Sequence, residues 1–374
     1  MSDPLARLLA EPGPWTVAYV DGHGDRPRPE EEGHRRAVRE GLSAAGAPEE
    51  DIESVDRALQ ADQGVPAPSA HYLLVRHGTI EVDEQFTGAR LGAPLLRHGH
   101  VPEVLPLLRH RAADVPYLLV ETGRDGGEMR LRRAHRTGDL HEADVEGREP
   151  HHLQKVRGGG WSHRRIQAHA EEVWKHNQSE IADAVDRMVR EHEPRFVVIA
   201  GDVRARQLLL EQLSVPARER VVDVAAHTRP DGADDTVVDD AVAEAIGERL
   251  RGEIAEAVDL ASANDGADGA RGADAVRDAL RESRVATLVL DARLGESERT
   301  IEALDGPPWV SAGEGDTAGT TQLGSVPLAE GLARAAVLTD ARVLIVEEEP
   351  LADDEHRPSS AADEPLALLR WSQE

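Results

Sequence analysis

Apolar and polar positions alternate with changing period along this chain. Residues 164 to 190 give the longest helical period: Ile166, Ala170, Val173, Trp174, Ile181, Val185, Met188 and Val189 fall on one stripe. The stripe predicts a helix of about 25 residues, near 37 Å long at about 1.5 Å per residue. Shorter periods flank it. "WTVAYV" (15–20) is a continuous apolar, β-branched and aromatic run, which predicts a buried strand. Two helical patterns follow over 33–61, split at "AGAPEE", with Pro48 at a helix start and Glu49 and Glu50 in the first turn. "HYLLVRHGTIEVDEQF" (71–86) predicts two strands about a His-Gly turn, and "VPEVLPLLRHR" (101–111) a short helix. "VPYLLVETGRDGGEMRLRRAH" (115–135) predicts a hairpin about a Gly-Asp-Gly turn.

After the long helix, "RFVVIAGDVRARQLLLEQL" (195–213) reads as strand, turn and helix, and "ERVVDVAAH" (219–227) as another strand. "TRPDGADDTVVDD" (228–240) is polar and acidic with Gly and Pro, the signature of a linker. Beyond it the pattern predicts a long helix to about 262, a helix at 272–283, the strand "VATLVLD" (285–291), a Gly- and Asp-rich loop, a helix at 326–337, the strand "ARVLIVEEE" (341–349) and a final strand in "LALLRW". The fold class expected is α/β in three domains: 1–115, 116–228 and 229–374, the last a three-layer α/β/α arrangement.

Composition narrows the function classes. The 374 residues carry 43 Lys and Arg against 71 Asp and Glu, a net charge of −28. That charge repels nucleic acid on average, so any RNA contact must come from a local basic patch. There is no cysteine, which excludes disulfides, zinc thiolates and thiol catalysis. The opening "MSDPLARLLAEPGPW" has no basic segment followed by an apolar run, and no run of about 18 apolar residues exists. The expectation is a cytoplasmic chain that does not touch a membrane and acts as a monomer.

One segment departs from the acidic background. Residues 151 to 170, "HHLQKVRGGGWSHRRIQAHA", contain no Asp or Glu. Gly158, Gly159 and Gly160 are flanked by Lys155 and Arg157 before and by Trp161, Ser162, His163, Arg164 and Arg165 after. Glycines allow close approach to another backbone, Arg and Lys hold phosphates, and an indole stacks on an unpaired base. The bland reading is a mobile connection with chance arginine content. Other readings are weaker. The segment lacks the Gly-Lys-Ser/Thr spacing of a P-loop, and "GDVRARQ" (201–207) lacks dinucleotide glycine spacing. His169 and His176 share a helix face without a carboxylate at ligand spacing, so no metal or cofactor is expected. Ser162 and His163 are neighbours in a loop, a poor basis for a triad, and no nucleophile elbow precedes them.

A strand hairpin, a basic Gly-Gly loop and a long helix resemble the middle domain of archaeal and eukaryotic class-1 release factors. "RGGGWSHRRIQAHAEEVWKHN" (157–177) is similar to the bacterial branch of that Pelota-like superfamily, which includes relatives of the Vms/ANKZF peptidyl-tRNA hydrolases and the Balon-type hibernation factors. The resemblance implies an RNase-H-like middle domain and a C-terminal domain similar to the ribosomal protein fold that binds kinked RNA. It implies ribosome binding in the A site, with residues 157–167 directed at 23S rRNA near the peptidyl-transferase centre, and elongation factor Tu as a partner. Release factors carry Gly-Gly-Gln. Aligning their glycines with Gly159 and Gly160 puts Trp161 in place of the glutamine, and Gln167 is the nearest glutamine. An indole offers one N–H donor and no acceptor for water. A non-hydrolytic hibernation factor is therefore expected. Peptidyl-tRNA hydrolysis with Gln167 catalytic, and non-ribosomal anion binding, stay open as alternatives.

Overall fold

The computed structural model describes residues 3–22, 27–61, 64–123, 125–146, 161–225, 236–263, 266–311, 315–347 and 364–371, with only the backbone for 161–170. The described chain divides into two compact units, Met1–Ala113 with Arg249–Glu374, and Asp114–Glu248. Of the last expected segment, 249–374 is grouped with the first, and 229–248 falls with the middle one.

The first 113 residues contain α1 (Pro4–Leu9), β1 (Trp15–Asp21), α2 (Arg28–Ala44), α3 (Glu49–Gln60), β2 (Ser69–Arg76), β3 (Thr79–Thr87), β4 (Leu95–Gly99) and α4 (Leu105–Ala113). The strands form one antiparallel sheet in the order β3-β2-β1-β4. β1 is central and buried on both faces, as its unbroken apolar run requires. The β2–β3 turn is the expected His-Gly pair, with φ of 51° at His77 and 70° at Gly78. Asp51, in the first turn of α3, is buried because it accepts hydrogen bonds from Thr16 Oγ1 at 2.6 Å and from the Gly78 amide at 2.6 Å. Ala18, Val20, Leu73 and Val75 on one sheet face pack on Val38 and Leu42 of α2 and Ile52, Val55 and Leu59 of α3.

The middle stretch contains β5 (Pro116–Gly123), β6 (Gly126–Arg133), β7 (Asp139–Glu146), α5 (Trp161–His192), β8 (Val197–Gly201), α6 (Val203–Gln212), α7 (Val215–Arg218) and β9 (Val221–Asp223). They build a five-stranded sheet in the order β7-β6-β5-β8-β9, with β5, β8 and β9 parallel and β6 and β7 antiparallel to their neighbours. β7 was not expected. Its sequence, "DLHEADVE", is almost wholly exposed. An edge strand hydrogen-bonds one neighbour only and needs no apolar face, so periodicity does not reveal it. α5 is 32 residues long, about 48 Å at 1.5 Å per residue, and begins three residues before the predicted start.

The remainder contains α8 (Thr236–Ser262), β10 (Gly269–Arg271), α9 (Ala273–Arg281), β11 (Val285–Asp291), β12 (Thr300–Leu304), β13 (Gln322–Pro327), α10 (Leu328–Leu338), β14 (Arg342–Val346) and β15 (Leu366–Leu369). The division between the two units falls between Glu248 and Arg249, inside α8. Residues 226–235, most of the expected linker, lie outside the described residues, and α8 takes up the rest from Thr236. The sheet runs β10-β15-β11-β14. Ala257 and Ala261 of α8 cover one face, and α9 and α10 cover the other. The Gly- and Asp-rich stretch after β11 folds back as the hairpin β12–β13.

α10 is buried on all sides from Leu328 to Val337. It packs on its own sheet, while Val337 joins the core formed by Trp15, Tyr19, Tyr72 and Phe86 on the second face of the β3-β2-β1-β4 sheet. Its two ionisable residues, Glu330 and Arg334, are one turn apart, yet each bonds elsewhere, with the Arg334 Nε left without a partner. Glu330 accepts from the Val104 amide at 2.8 Å and the Leu105 amide at 3.0 Å, at the N-terminus of α4. Arg334 donates to the Leu9 carbonyl at 3.3 Å, at the C-terminus of α1, and to the Leu304 carbonyl at 3.1 Å. Each side chain therefore bonds at a helix end, the acid at an N-terminus and the base at a C-terminus. Burial lowers the Arg334 guanidinium to about 10. Burial, with the Glu103 charge adding to it, pushes the Glu330 carboxyl up to about 8 against its two amide donors.

The folded chain thus holds a proton on Glu330 that the unfolded chain releases above the ordinary carboxylate range. Stability is expected to fall as pH rises from there towards 8. The slope from this group is at most about 1.4 kcal/mol per pH unit. Denaturant unfolding across that window should show the slope in the native chain and its loss in Glu330→Gln; an equal slope in both would refute the assignment.

Candidate nucleic-acid interface

The predicted site begins where the description of α5 begins. Lys155, Arg157, Gly158, Gly159 and Gly160 lie outside the described residues. Trp161, Ser162, His163, Arg164, Arg165 and Gln167 form the first two turns of α5, described as backbone. Because the helix starts at Trp161, Gln167 belongs to its second turn. Six residues separate them, which puts Gln167 about 9 Å further along the helix axis.

What holds this segment is the seat of α5. Ile181, Val185, Met188 and Val189, four members of the predicted stripe, are buried against Leu118 and Val120 of β5, Met129 and Leu131 of β6, and Val197 and Ile199 of β8. Val173 and Trp174 are half-buried, and Glu171, Glu172, Lys175 and His176 are exposed. The fully buried part begins at Asn177 and Gln178, both at 0% exposure. From Asn177 back to Trp161 the helix continues for 16 residues, about 24 Å.

Asn177 and Gln178 were missed because periodicity counts only apolar residues. A signal existed. Gln178 stands three residues before Ile181 and seven before Val185, on the stripe itself. Its Oε1 accepts from Thr122 Oγ1 at 2.7 Å and its Nε2 donates to the Gly123 carbonyl at 2.9 Å. Both partners lie at the C-terminal end of β5. Beside them, Gly201 ends β8 with φ of 121°, and a Cβ there would come 2.0 Å from the Thr122 carbonyl oxygen. The Asp202 amide donates to that oxygen at 3.0 Å. The Asp202 side chain caps α6 by accepting from Arg204 N at 2.9 Å and Ala205 N at 3.1 Å.

Two-metal hydrolysis needs several carboxylates converging on one point. At these strand ends stand Thr122 and Gln178, neutral and bonded to each other, Asp202 engaged as a helix cap and Asp223 paired with Arg206. Among the described residues no three His, Asp or Glu side chains are grouped to hold a metal ion. This strand end is built to fix a helix.

Electrostatics separates the described surface from the predicted tip. Arg130 pairs with Glu121 at 2.9 Å and Glu128 at 2.7 Å. Arg133 and Arg136 both pair with Asp114 at 3.0 Å, Arg132 with Asp139 at 2.5 Å, and Arg204 with Glu171 at 2.5 Å. Arg206 pairs with Asp223. His176 meets Glu180 one turn on, at 3.3 Å. These arginines cannot supply an unneutralised cationic surface, whereas 151–170 contains four Lys and Arg and no acid. A cleft in the other unit is lined by Arg271, Arg281 and Arg284 with Asp278 and Glu282. There too the charge is offset, since Arg281 pairs with Asp316 and Arg284 with Glu282. Among the described residues no helix is long and apolar enough to cross a membrane.

Residues 116–267 match the family described as bacterial archaeo-eukaryotic release factor family 2. The matched segment spans the hairpin, the glycine loop and α5. Among curated proteins it is similar to the uncharacterized proteins MT2704 and Rv2629 of two Mycobacterium tuberculosis strains, each 26% identical over 302 residues and covering 79% of both chains. Among solved structures it is similar to the archaeal translation termination factor aRF1, at 17% identity and TM-score 0.25 over 98% of this chain and 97% of that one. It is also similar to ribosome-bound archaeal Pelota with ABCE1, at 14% identity and TM-score 0.39 over 99% and 93%. S. cerevisiae Dom34, a translation termination-like factor, matches at 9% identity and TM-score 0.40 over 82% of each chain. Likeness at this level carries no residue-by-residue correspondence.

The close approach at Gly201 yields a stability test. Gly201→Ala forces a Cβ against the Thr122 carbonyl at a left-handed φ. It is expected to cost at least about 3 kcal/mol, read as a lowered denaturation midpoint, and a midpoint within error of the native one would refute the packing.

Proposed function

We propose that this chain is a translation factor that binds the ribosomal A site. In this reading residues 157–167 reach 23S rRNA near the peptidyl-transferase centre, and the chain protects an idle ribosome without cleaving peptidyl-tRNA. The observation that carries the reading is the join of two features. An acid-free segment with four Lys and Arg, in a chain of net charge −28, continues into a 32-residue helix whose described residues 171–176 are exposed or half-buried and which is seated on its sheet from Asn177 on. Such a helix can carry a cationic tip away from an acidic body. The family match over 116–267 supports the same reading.

The choice of a non-hydrolytic role rests on Trp161 and on α5. An indole stacks on bases and cannot accept a hydrogen bond from water. Gln167, the catalytic candidate of the hydrolase alternative, sits about 9 Å along the helix from Trp161. That is too far for its amide to occupy the position beside Gly160 where a glutamine would orient water. Lys155, Arg157, Arg164 and Arg165 neutralise phosphates, and the glycines fit a narrow channel. Elongation factor Tu is the delivery partner in this proposal, and a single copy of the chain acts.

Co-sedimentation with ribosomes across a salt series tests this. The log–log salt slope is expected to fall by about 0.7 to 0.9 for each phosphate contact removed as Lys155, Arg157, Arg164 and Arg165 are changed to Ala. Trp161→Ala should weaken binding by about 1–3 kcal/mol with little change in slope. Absence of binding to ribosomes from starved cells sinks the proposal. The hydrolase alternative is tested separately with peptidyl-tRNA on ribosomes: no ester cleavage is expected, and cleavage lost on Gln167→Ala would establish that alternative instead.

A further inference from the structure

α5 is seated by two kinds of contact. The apolar stripe packs against β5, β6 and β8, and at one point the approach is close. A Cβ at Gly127 would meet Ile181 Cδ1 at 2.9 Å. Apolar contact is non-directional and discriminates poorly between one seating and the next. A slip by four residues moves a helix about 6 Å and turns it only about 40°, which keeps the stripe on the sheet. Ile181, Val185, Met188 and Val189 are similar in size, and methionine tolerates repacking. The stripe alone therefore leaves the axial register of α5 weakly specified.

Gln178 is different. It is buried completely at the boundary where the helix leaves its core, and its amide uses one acceptor and one donor. Thr122 Oγ1 donates to Oε1 at 2.7 Å, and Nε2 donates to the Gly123 carbonyl at 2.9 Å. These bonds are directional, and losing them inside the protein leaves unsatisfied polar groups. Thr122 is itself fixed, because its carbonyl accepts from the Asp202 amide at 3.0 Å while Gly201 packs against it.

We propose that Gln178 is a positioning residue, and that the Thr122–Gln178–Gly123 bonds set the axial register and rotation of α5 and thereby aim its first turns, from Trp161 onward. The pin acts on the helix backbone 17 residues from its start, so a small change of tilt there becomes a large displacement at the tip. The proposal deepens the ribosome reading and rests on it for its consequence in binding, but the pin itself is measurable without a ribosome.

The chain has no cysteine, so nitroxide labels at Glu142→Cys on β7 and His169→Cys on α5 report one distance cleanly in the full-length protein. The native background is expected to give one narrow distance distribution. In Thr122→Val/Gln178→Leu, which exchanges the bonded pair for apolar side chains of similar size, a cooperative melt is expected to remain while the distribution at least doubles in width or splits. Thr122→Val alone, which keeps the bond to Gly123, should fall between. Thr122→Ser, which keeps the hydroxyl, should restore the narrow distribution. A purely structural role would lower the melting temperature and leave the distance unchanged. A narrow, unshifted distribution in the double variant, or in Thr122→Val should the double variant fail to fold, overturns the proposal. In parallel, the double variant should lose ribosome co-sedimentation at a salt concentration where the native chain still binds. Binding retained with broadened distances overturns the link from pin to binding. A native chain that never co-sediments overturns the ribosome reading, and the distance measurement still decides the pin.

Discussion

One helix and its seat on a five-stranded sheet organise the Asp114–Glu248 unit. α5 packs its C-terminal half on that sheet, with Asn177 and Gln178 buried where this half begins. The rigidity of α5 comes from backbone hydrogen bonds within the helix, but its direction is decided at the seat. The close approaches at Gly127 and Gly201 and the amide of Gln178 all lie near the same strand ends. A site reached by a long lever has to be fixed firmly at its base, and the base is where the side-chain chemistry is most constrained.

The same unit answers its charge problem in a consistent way. The arginines of β6 and of the turn after it meet Glu121, Glu128, Asp114 and Asp139, and those of α6 meet Glu171 and Asp223. Exposed pairs of this kind contribute little stability, on the order of 0–1 kcal/mol each. Their effect is on the field: they remove positive potential from the surface around them. In the other unit, an acid and a base on neighbouring turns of α10 each bond at a helix end, and this ties sequence-distant parts of the chain into one body.

Much of the fold was legible from periodicity. β1, β11, α5, α6, α8 and α10 are runs whose apolar spacing suffices, because each buries a face or a whole strand. The strands that escaped notice share a cause. β4 and β7 lie at sheet edges, and β12 and β13 pair only with each other, so their pairing rests on main-chain bonds that side chains do not advertise. The cationic segment was legible because the absence of acid over twenty residues is a property of composition alone. The start of α5 at Trp161 was less so, since Gly-rich and basic positions carry no helical period.

By itself, then, the sequence determined which segments could be helix or strand, and it concentrated positive charge and an indole beside three glycines. Tertiary structure decided which polar residues belong to the core. Glu330 and Arg334 read as ordinary surface residues on their own helix, and Gln178 as a polar gap in an apolar stripe. They are buried because Val104 and Leu105, Leu9 and Leu304, and Thr122 and Gly123 arrive from distant parts of the chain to bond them. A buried polar group is stable only with its partner, and the partner's arrival is a fact of the fold that no local spacing encodes.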